Sequence, residues 1–246
     1  MNNDKNPQLP LIDLLADKIL QAAIIKCKML ERITDSSIYL IDFMGNSLLY
    51  ISDNDLSFPD KPEGQVKFDT SFLRQKVDSD DALPLLNSYN AIKKYLQTAD
   101  CNFPEIDYFS CTYRLLRGKH HLMVHQRTIP EIVQGSPRLA ICTISTSVAK
   151  YAGNLEIYYC GGKEYAKYSL HRRQWNSRQP IIKLTEQECS LVKQAKRGLS
   201  THDIADMLNL SEGRVRNFSS QLYDKLEVKS MAQALIHLSN YPQKLL

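Results

Sequence analysis

Several things are scarce in this chain of 246 residues, and each scarcity removes a class of protein. Nine glycines and no internal repeat exclude collagen-like and low-complexity chains, and 43% apolar with 24% charged residues excludes a disordered one. No stretch approaches the roughly 18 apolar residues of a membrane span. The opening MNNDKNPQLPLIDLLADKIL sets charges where a signal peptide needs its apolar core, so the expected location is the cytoplasm, with no membrane partner. Cys27, Cys101, Cys111, Cys142, Cys160 and Cys189 include no CxxC pair and read as reduced, buried thiols. A chain of this size buries roughly 70% of its unfolded surface and needs no disulfide framework. GxSxG, a phosphate loop, a dinucleotide fingerprint and a metal triad are all missing, so no enzyme, cofactor or metal is expected.

What is present is a segregation of charge beneath a net of +4. Residues 1–160 hold 17 basic and 19 acidic side chains, and residues 184–246 hold eight and seven. Between them, residues 161–183 hold six basic (Lys163, Lys167, Arg172, Arg173, Arg178, Lys183) against Glu164 alone. That stretch reads either as a solvated linker or as a phosphate-attracting one.

Along the chain, Ile12, Leu15, Ile19, Ala22, Ile25 and Met29 recur by threes and fours, an amphipathic helix whose partner is its own core or a second copy. Two β-prone runs, Ile38–Phe43 and Leu48–Ser52, flank a Gly45-Asn46 hairpin signal. Residues 53–70 read as a loop, and 81–98 as a helix with Leu85, Tyr89, Ile92 and Leu96 inward. Asp78, Asp80 and Asp81 before it suit the helix dipole better than a cation site. The period then changes to two: Phe109, Cys111, Tyr113 and Leu115 alternate with polar residues, and strands 121–129 and 138–146 follow. Leu155–Cys160 and Glu164–Leu170 make a further hairpin around Gly161-Gly162, and HRRQWNSRQPIIK, with the only tryptophan, reads as linker.

From Leu184 onward, helix caps are dense. Thr185 with Glu188 is a capping box, Gly198 is a stop, Ser200 caps a second helix, and Ser211 after Asn209-Leu210 caps a third. A helix, a three-residue turn and a helix make a helix-turn-helix. The outward side of the third helix offers Arg214, Arg216, Asn217, Ser220 and Gln221, the side-chain types that read a major groove.

Over LTEQECSLVKQAKRGLSTHDIADMLNLSEGRVRNFSSQLYDKLEVKSMAQALIHL the chain resembles the C-terminal DNA-binding domain of LuxR/FixJ/NarL-type regulators. The resemblance rests on Leu184-Thr185-x-x-Glu188, Gly198-x-Ser200, Asp203-Ile204-Ala205, Leu208, Ser211, Val215 and Lys225-Leu226-x-Val228. It implies a four-helix domain. Arg216, Asn217 and Ser220 correspond to base-reading positions; Arg214, Phe218 and Lys225 correspond to phosphate-contacting ones. A fourth helix with Met231, Ala234, Leu235 and Leu238 corresponds to the pairing helix of a dimer. The family usually carries Thr, His and Gly where this chain has Arg214, Phe218 and Glu227, and Phe218 cannot donate to phosphate.

The front half does not match the usual regulators' partners. A phosphoreceiver's β–α alternation and paired acidic residues are missing, and Asp42 reads as a turn residue. The tryptophans of acyl-homoserine-lactone receptors are missing too. The order hairpin, helices, three strands is similar to that of a PAS domain. A flavin segment is not preserved at Asp100-Cys101-Asn102-Phe103, no His lies in the 81–98 helix for haem, and His121 with His125 makes too small a set for a metal. Phe109, Cys111 and Tyr113 line either a small-molecule pocket or a filled core.

The expected fold class is α+β: a PAS-like antiparallel sheet with helices on one side, then an all-α four-helix helix-turn-helix domain. The expected divisions are an N-terminal helix (1–34), a PAS-like sensory domain (35–150), a hairpin and basic linker (151–183) and the DNA-binding domain (184–246). The expected function is a homodimeric transcription regulator of double-stranded DNA; the alternative is a protein-interaction regulator whose last domain no longer binds specific DNA.

Overall fold

The computed structural model describes residues 11–43, 45–53, 56, 66–98, 105–133 and 136–242. Its elements run α1 (Leu11–Ile33), β1 (Ser37–Asp42), β2 (Ser47–Ile51), β3 (Val66–Lys67), α2 (Thr70–Lys76), α3 (Ser79–Leu96), β4 (Ile106–Arg117), β5 (His120–Val133) and β6 (Ser136–Thr146). There follow β7 (Leu155–Tyr159), β8 (Glu164–Ser169), β9 (Gln174–Trp175), β10 (Gln179–Pro180), α4 (Glu186–Ala195), α5 (Thr201–Leu208), α6 (Glu212–Leu226) and α7 (Met231–Asn240). The fold is α+β, an antiparallel sheet followed by a helical domain. Most of the expected loop at 53–70, and Asp100 to Phe103, lie outside the described residues.

The strands form one sheet in the order β10-β8-β7-β4-β5-β6-β1-β2-β3, with β9 on β8. The first hairpin turns at Asn46, whose φ of 47° is left-handed, while the Asp42 carboxylate accepts from the Gly45 N–H at 3.0 Å. A Cβ on Gly45 would stand 2.9 Å from that carboxylate, so a side chain there would have to displace the Asp42 side chain.

Because strand side chains alternate between faces, one face of the sheet gathers Tyr39, Ile41, Phe109, Cys111, Tyr113, Leu115, Val124, Cys142 and Ile144 under α2 and α3. Asp78 caps α3 by accepting from the Asp80 N–H at 2.9 Å. The acidic group before this helix is thus used in capping and in a bidentate Asp81–Arg114 pair at 2.7 and 2.9 Å.

The opposite face is covered in part by α1: Ala23 and Cys27 meet Ile38, Leu40, Leu139 and Ile141. Helices therefore lie on both faces, and all of β1 is buried. The stripe that packs is Ala23 and Cys27 with Ile19, Leu20, Ile24 and Leu30 beside them. Ile25, Met29 and Ile33 point to solvent at 56, 61 and 76% exposure. A 23-residue helix that is apolar on two stripes gives the periodicity no means of telling which one the sheet takes.

The expected hairpin at 155–170 forms, but as a continuation of the same sheet, since β7 pairs with β4. Trp175 is not in a solvated linker. It packs on Tyr95, Phe109 and Tyr168 at centroid distances of 5.3, 5.9 and 5.2 Å. Its large ring finds apolar area there that a linker cannot offer.

Candidate nucleic-acid interface

The helical domain is set up by its caps. Thr185 Oγ1 accepts from the Glu188 N–H at 3.3 Å while the Glu188 carboxylate accepts from the Thr185 N–H at 2.7 Å. Ser200 and Asp203 repeat this reciprocal pair at the start of α5, at 3.2 and 3.1 Å. Those hydrogen bonds hold the Asp203 carboxyl below its usual range. Asn209 then ends α5 in the left-handed region, φ 51°, and Ser211 opens α6 by accepting from the Arg214 N–H at 3.3 Å. The intervening turn is thus short, and the two helices cross over one core of Leu191, Val192, Ile204, Ala205, Val215, Leu222, Leu226, Ala234 and Leu238.

Burying Val215, Leu222 and Leu226 fixes which side of α6 faces out. Arg214, Arg216, Asn217, Ser220 and Gln221 are all exposed on it, whereas Phe218 is half-buried against the core. Arg216 is held by Glu212 one turn earlier, at 2.7 Å. Both are on the surface, so this pair is weak and gives way readily to a stronger acceptor.

Lys225 is placed differently from a free phosphate contact. Its ammonium donates to Glu188 at 2.7 Å, with side-chain exposures of 25% and 14%, tying α6 to the start of α4. Burial would raise the Glu188 carboxyl, but Lys225 and the Thr185 backbone hold it below the usual carboxylate range. The residue spacing carried no signal for this tie. Of the four apolar residues expected to pair copies through α7, Ala234 and Leu238 are wholly buried in the domain's own core, and Met231 and Leu235 are partly exposed. In the basic stretch, Arg178 is engaged by Glu105 at 2.9 Å and lies 3.9 Å over the Tyr159 ring, while Arg172 and Arg173 are exposed.

In the front sheet, Phe109, Cys111 and Tyr113 come together inside the core, and the void beside Cys111 and Tyr113 holds only about 10 Å³. What the strand pattern did not reveal is a polar cluster next to them. The Gln126 side chain, 1% exposed, donates to Tyr89 at 2.6 Å and Thr128 at 2.9 Å and accepts from Tyr113 at 3.1 Å and from Tyr39. Burial pushes the hydroxyls of Tyr39, Tyr89 and Tyr113 well above the ordinary tyrosine value, so they act as neutral donors. His121 pairs with Asp78, and His125 lies elsewhere under Tyr241. Among the described residues no three His, Cys, Asp or Glu side chains gather as for a metal.

Residues 183–238 match the model of the family described as bacterial regulatory proteins, luxR family. This segment is a LuxR-family helix-turn-helix domain. The LuxR-type segment is 38% identical over 63 residues to the probable HTH-type transcriptional regulator GfsR of Streptomyces halstedii, covering 26% of each chain. It is 34% identical over 61 residues to the transcriptional regulatory protein LnrK of Bacillus subtilis, covering 25% of this chain and 28% of that one. The match thus spans about a quarter of the length of these relatives. Among solved structures, a phage VqmA–DPO complex aligns over 96% of this chain and 93% of its own at 11% identity and a TM-score of 0.31. A Vibrio cholerae VqmA dimer aligns over 91% and 89% at 9% identity, with the same TM-score.

Proposed function

We propose that the protein is a cytoplasmic, homodimeric transcription regulator in which the LuxR-type domain at 184–246 reads double-stranded DNA through α6. The observation that carries this reading is the exposed row Arg214, Arg216, Asn217, Ser220 and Gln221 on a helix whose opposite side is locked into a core. Arg216 and Asn217 reach base edges, Arg to guanine and Asn to adenine; Ser220 and Gln221 add polar contacts, and Arg214 lies toward the backbone. With Phe218 half-buried and Lys225 tied to Glu188, phosphate attraction falls to Arg214 and to the exposed Arg172 and Arg173 upstream.

The front part, residues 35–150 with the hairpin and linker to 183, acts as a PAS-like sensor of a small molecule or partner. Its support is the buried Tyr39–Tyr89–Tyr113–Gln126 cluster, a set of directional groups joined to Thr128 within a largely apolar sheet face. Pairing of two copies is supported by the outward stripe of α1, where Ala22, Ile25 and Met29 continue a spacing of three and four. Two α6 helices would then enter half-sites about one helical turn, ~34 Å, apart.

Selection of bound fragments from a genomic library tests the reading. An enriched motif with two related half-sites is expected, and Arg216→Ala should cost about 1–3 kcal/mol on that motif and much less on random DNA. A folded dimer that enriches no sequence would instead favour a protein-binding role for the last domain. Ile25→Glu with Met29→Glu should give a monomer by light scattering; a dimer of unchanged mass would move the pairing surface off α1.

A further inference from the structure

The helical domain does not end in solvent. At the carboxyl end of α7, Asn240 is 2% exposed and reaches β6: its Nδ2 donates to the Thr146 carbonyl at 2.9 Å and its Oδ1 accepts from Ser145 Oγ at 2.7 Å. The carbonyls of Ser239 and Asn240, which a helix terminus leaves without intrahelical donors, accept from Arg127 of β5 at 2.6 Å each. A guanidinium at that end also complements the negative pole of the helix. Tyr241 then lies on the sheet, 4.7 Å edge-on from the His125 ring and 6.0 Å from Tyr158.

Beneath Tyr241, His125 is 1% exposed, and neither ring nitrogen has a hydrogen-bond partner among the described residues. Buried polar atoms without a partner are uncommon in folded proteins, and packing against Tyr241 satisfies the ring but not its nitrogens. The charged and titratable groups around it are Arg127 on β5, His237 on α7 and Tyr241 just after it, Asp107 on β4 facing Arg127, and Glu156 on β7 facing Tyr241. Glu156 is occupied by Tyr158 at 2.7 Å and Lys167 at 3.5 Å. Among the described residues no carboxylate is placed to accept from an imidazolium at this position.

We propose that this contact is an acid-sensitive latch: Asn240 and Tyr241 park the helix-turn-helix domain on β5 and β6, and protonation of His125 beneath them releases it. The hydrogen bonds involve Ser239, Asn240 and Tyr241, three consecutive residues at one end of the helical domain, few enough for the contact to open while both domains stay folded. Burial, then Arg127 and His237, push the docked His125 down to about 3. A group whose docked value is depressed disfavours docking once the pH falls below its free value, ordinarily about 6.5. The ratio of docked to released chains should therefore fall about thirtyfold between about pH 8 and about pH 5. The latch is independent of what α6 binds; only its consequence for DNA rests on the function proposed above.

Amide hydrogen exchange on the full chain, corrected for the intrinsic pH dependence of exchange, tests this. Segments 143–147 and 236–242 should lose protection by tens of fold on acidification, with β4 and α4 to α6 unchanged. Asn240→Ala and Tyr241→Ala should remove that protection at both pH values. His125→Phe should keep it at both, and His125→Gln serves in its place if the larger ring disturbs packing. Protection that is insensitive to pH in the unaltered chain, or an unaltered pH profile in both His125 variants, would overturn the latch.

Discussion

In residues 184–240 the caps that organise the fold sit at helix ends and reach three residues along the chain, as Thr185–Glu188 and Ser200–Asp203 do, with Lys225–Glu188 as a longer tie. In the front sheet they meet inside the core instead, with Tyr39 and Gln126 separated by 87 residues and Tyr89 and Gln126 by 37. The first arrangement keeps the caps at the rim of an apolar cluster, with Gln194 and Asn240 as the buried polar side chains beside it. The second commits polar groups to the interior, where each must be paired or it costs about 1–3 kcal/mol. The difference separates a LuxR-type helical domain set up at its helix ends from a sheet whose interior is chemically specific.

The comparison can be broken hardest at Gln126. Gln126→Ala removes the partner of three tyrosines and a threonine and leaves a cavity, and should cost about 3–5 kcal/mol, seen as a lower denaturation midpoint of the front sheet. A cost under about 1 kcal/mol would mean that water or rearrangement replaces the amide readily. Leu222→Ala, fully buried in the helical core, should cost about 2–5 kcal/mol and unfold α4 to α7 with the sheet left intact. Simultaneous loss of both regions would show that they fold as one unit.

Smaller effects concern local devices. Lys225→Met should cost about 1 kcal/mol by freeing Glu188, whose carboxyl is held low in the folded chain. That contribution is present above the ordinary Glu value of about 4.3 and is lost as the pH falls through the lower folded value. Acid denaturation curves of the variant and the unaltered chain should therefore converge only once the pH is below the lowered folded value of Glu188. Ser200→Ala should cost about 1 kcal/mol through the cap of α5. Smallest, and opposite in sign, Glu227→Gly should stabilise by about 0.5–1 kcal/mol, because Glu227 closes α6 at φ 55° where a side chain is strained. A loss of stability there would show that Glu227 makes a contact worth more than its strain.

Much of this was legible before any coordinates. Caps, the strands of period two and the helix carrying Leu85, Tyr89, Ile92 and Leu96 depend on neighbours within four residues, and they stand where the spacing puts them. The outward residues of α6 were legible for the same reason: once Val215, Leu222 and Leu226 face inward, the remaining sides are set. Trp175, Arg178 and Lys225 were not. Each took a partner on another element, Phe109, Glu105 and Glu188, and no local pattern encodes such a choice.

The scarcities of the chain determined a good deal by themselves. Lacking a long apolar run, a regular cysteine set and any catalytic motif, it had to fold around ordinary cores, and its capped C-terminal helices followed from interactions only three residues long. The tertiary structure alone decided which stripe of α1 the sheet takes, that the hairpin beyond residue 150 joins that sheet, that Gln126 gathers three tyrosines, and that Asn240 and Tyr241 close over His125. These are meetings between segments tens of residues apart. They are settled by which surfaces pack best once the whole chain has collapsed, and no window of the sequence contains both partners.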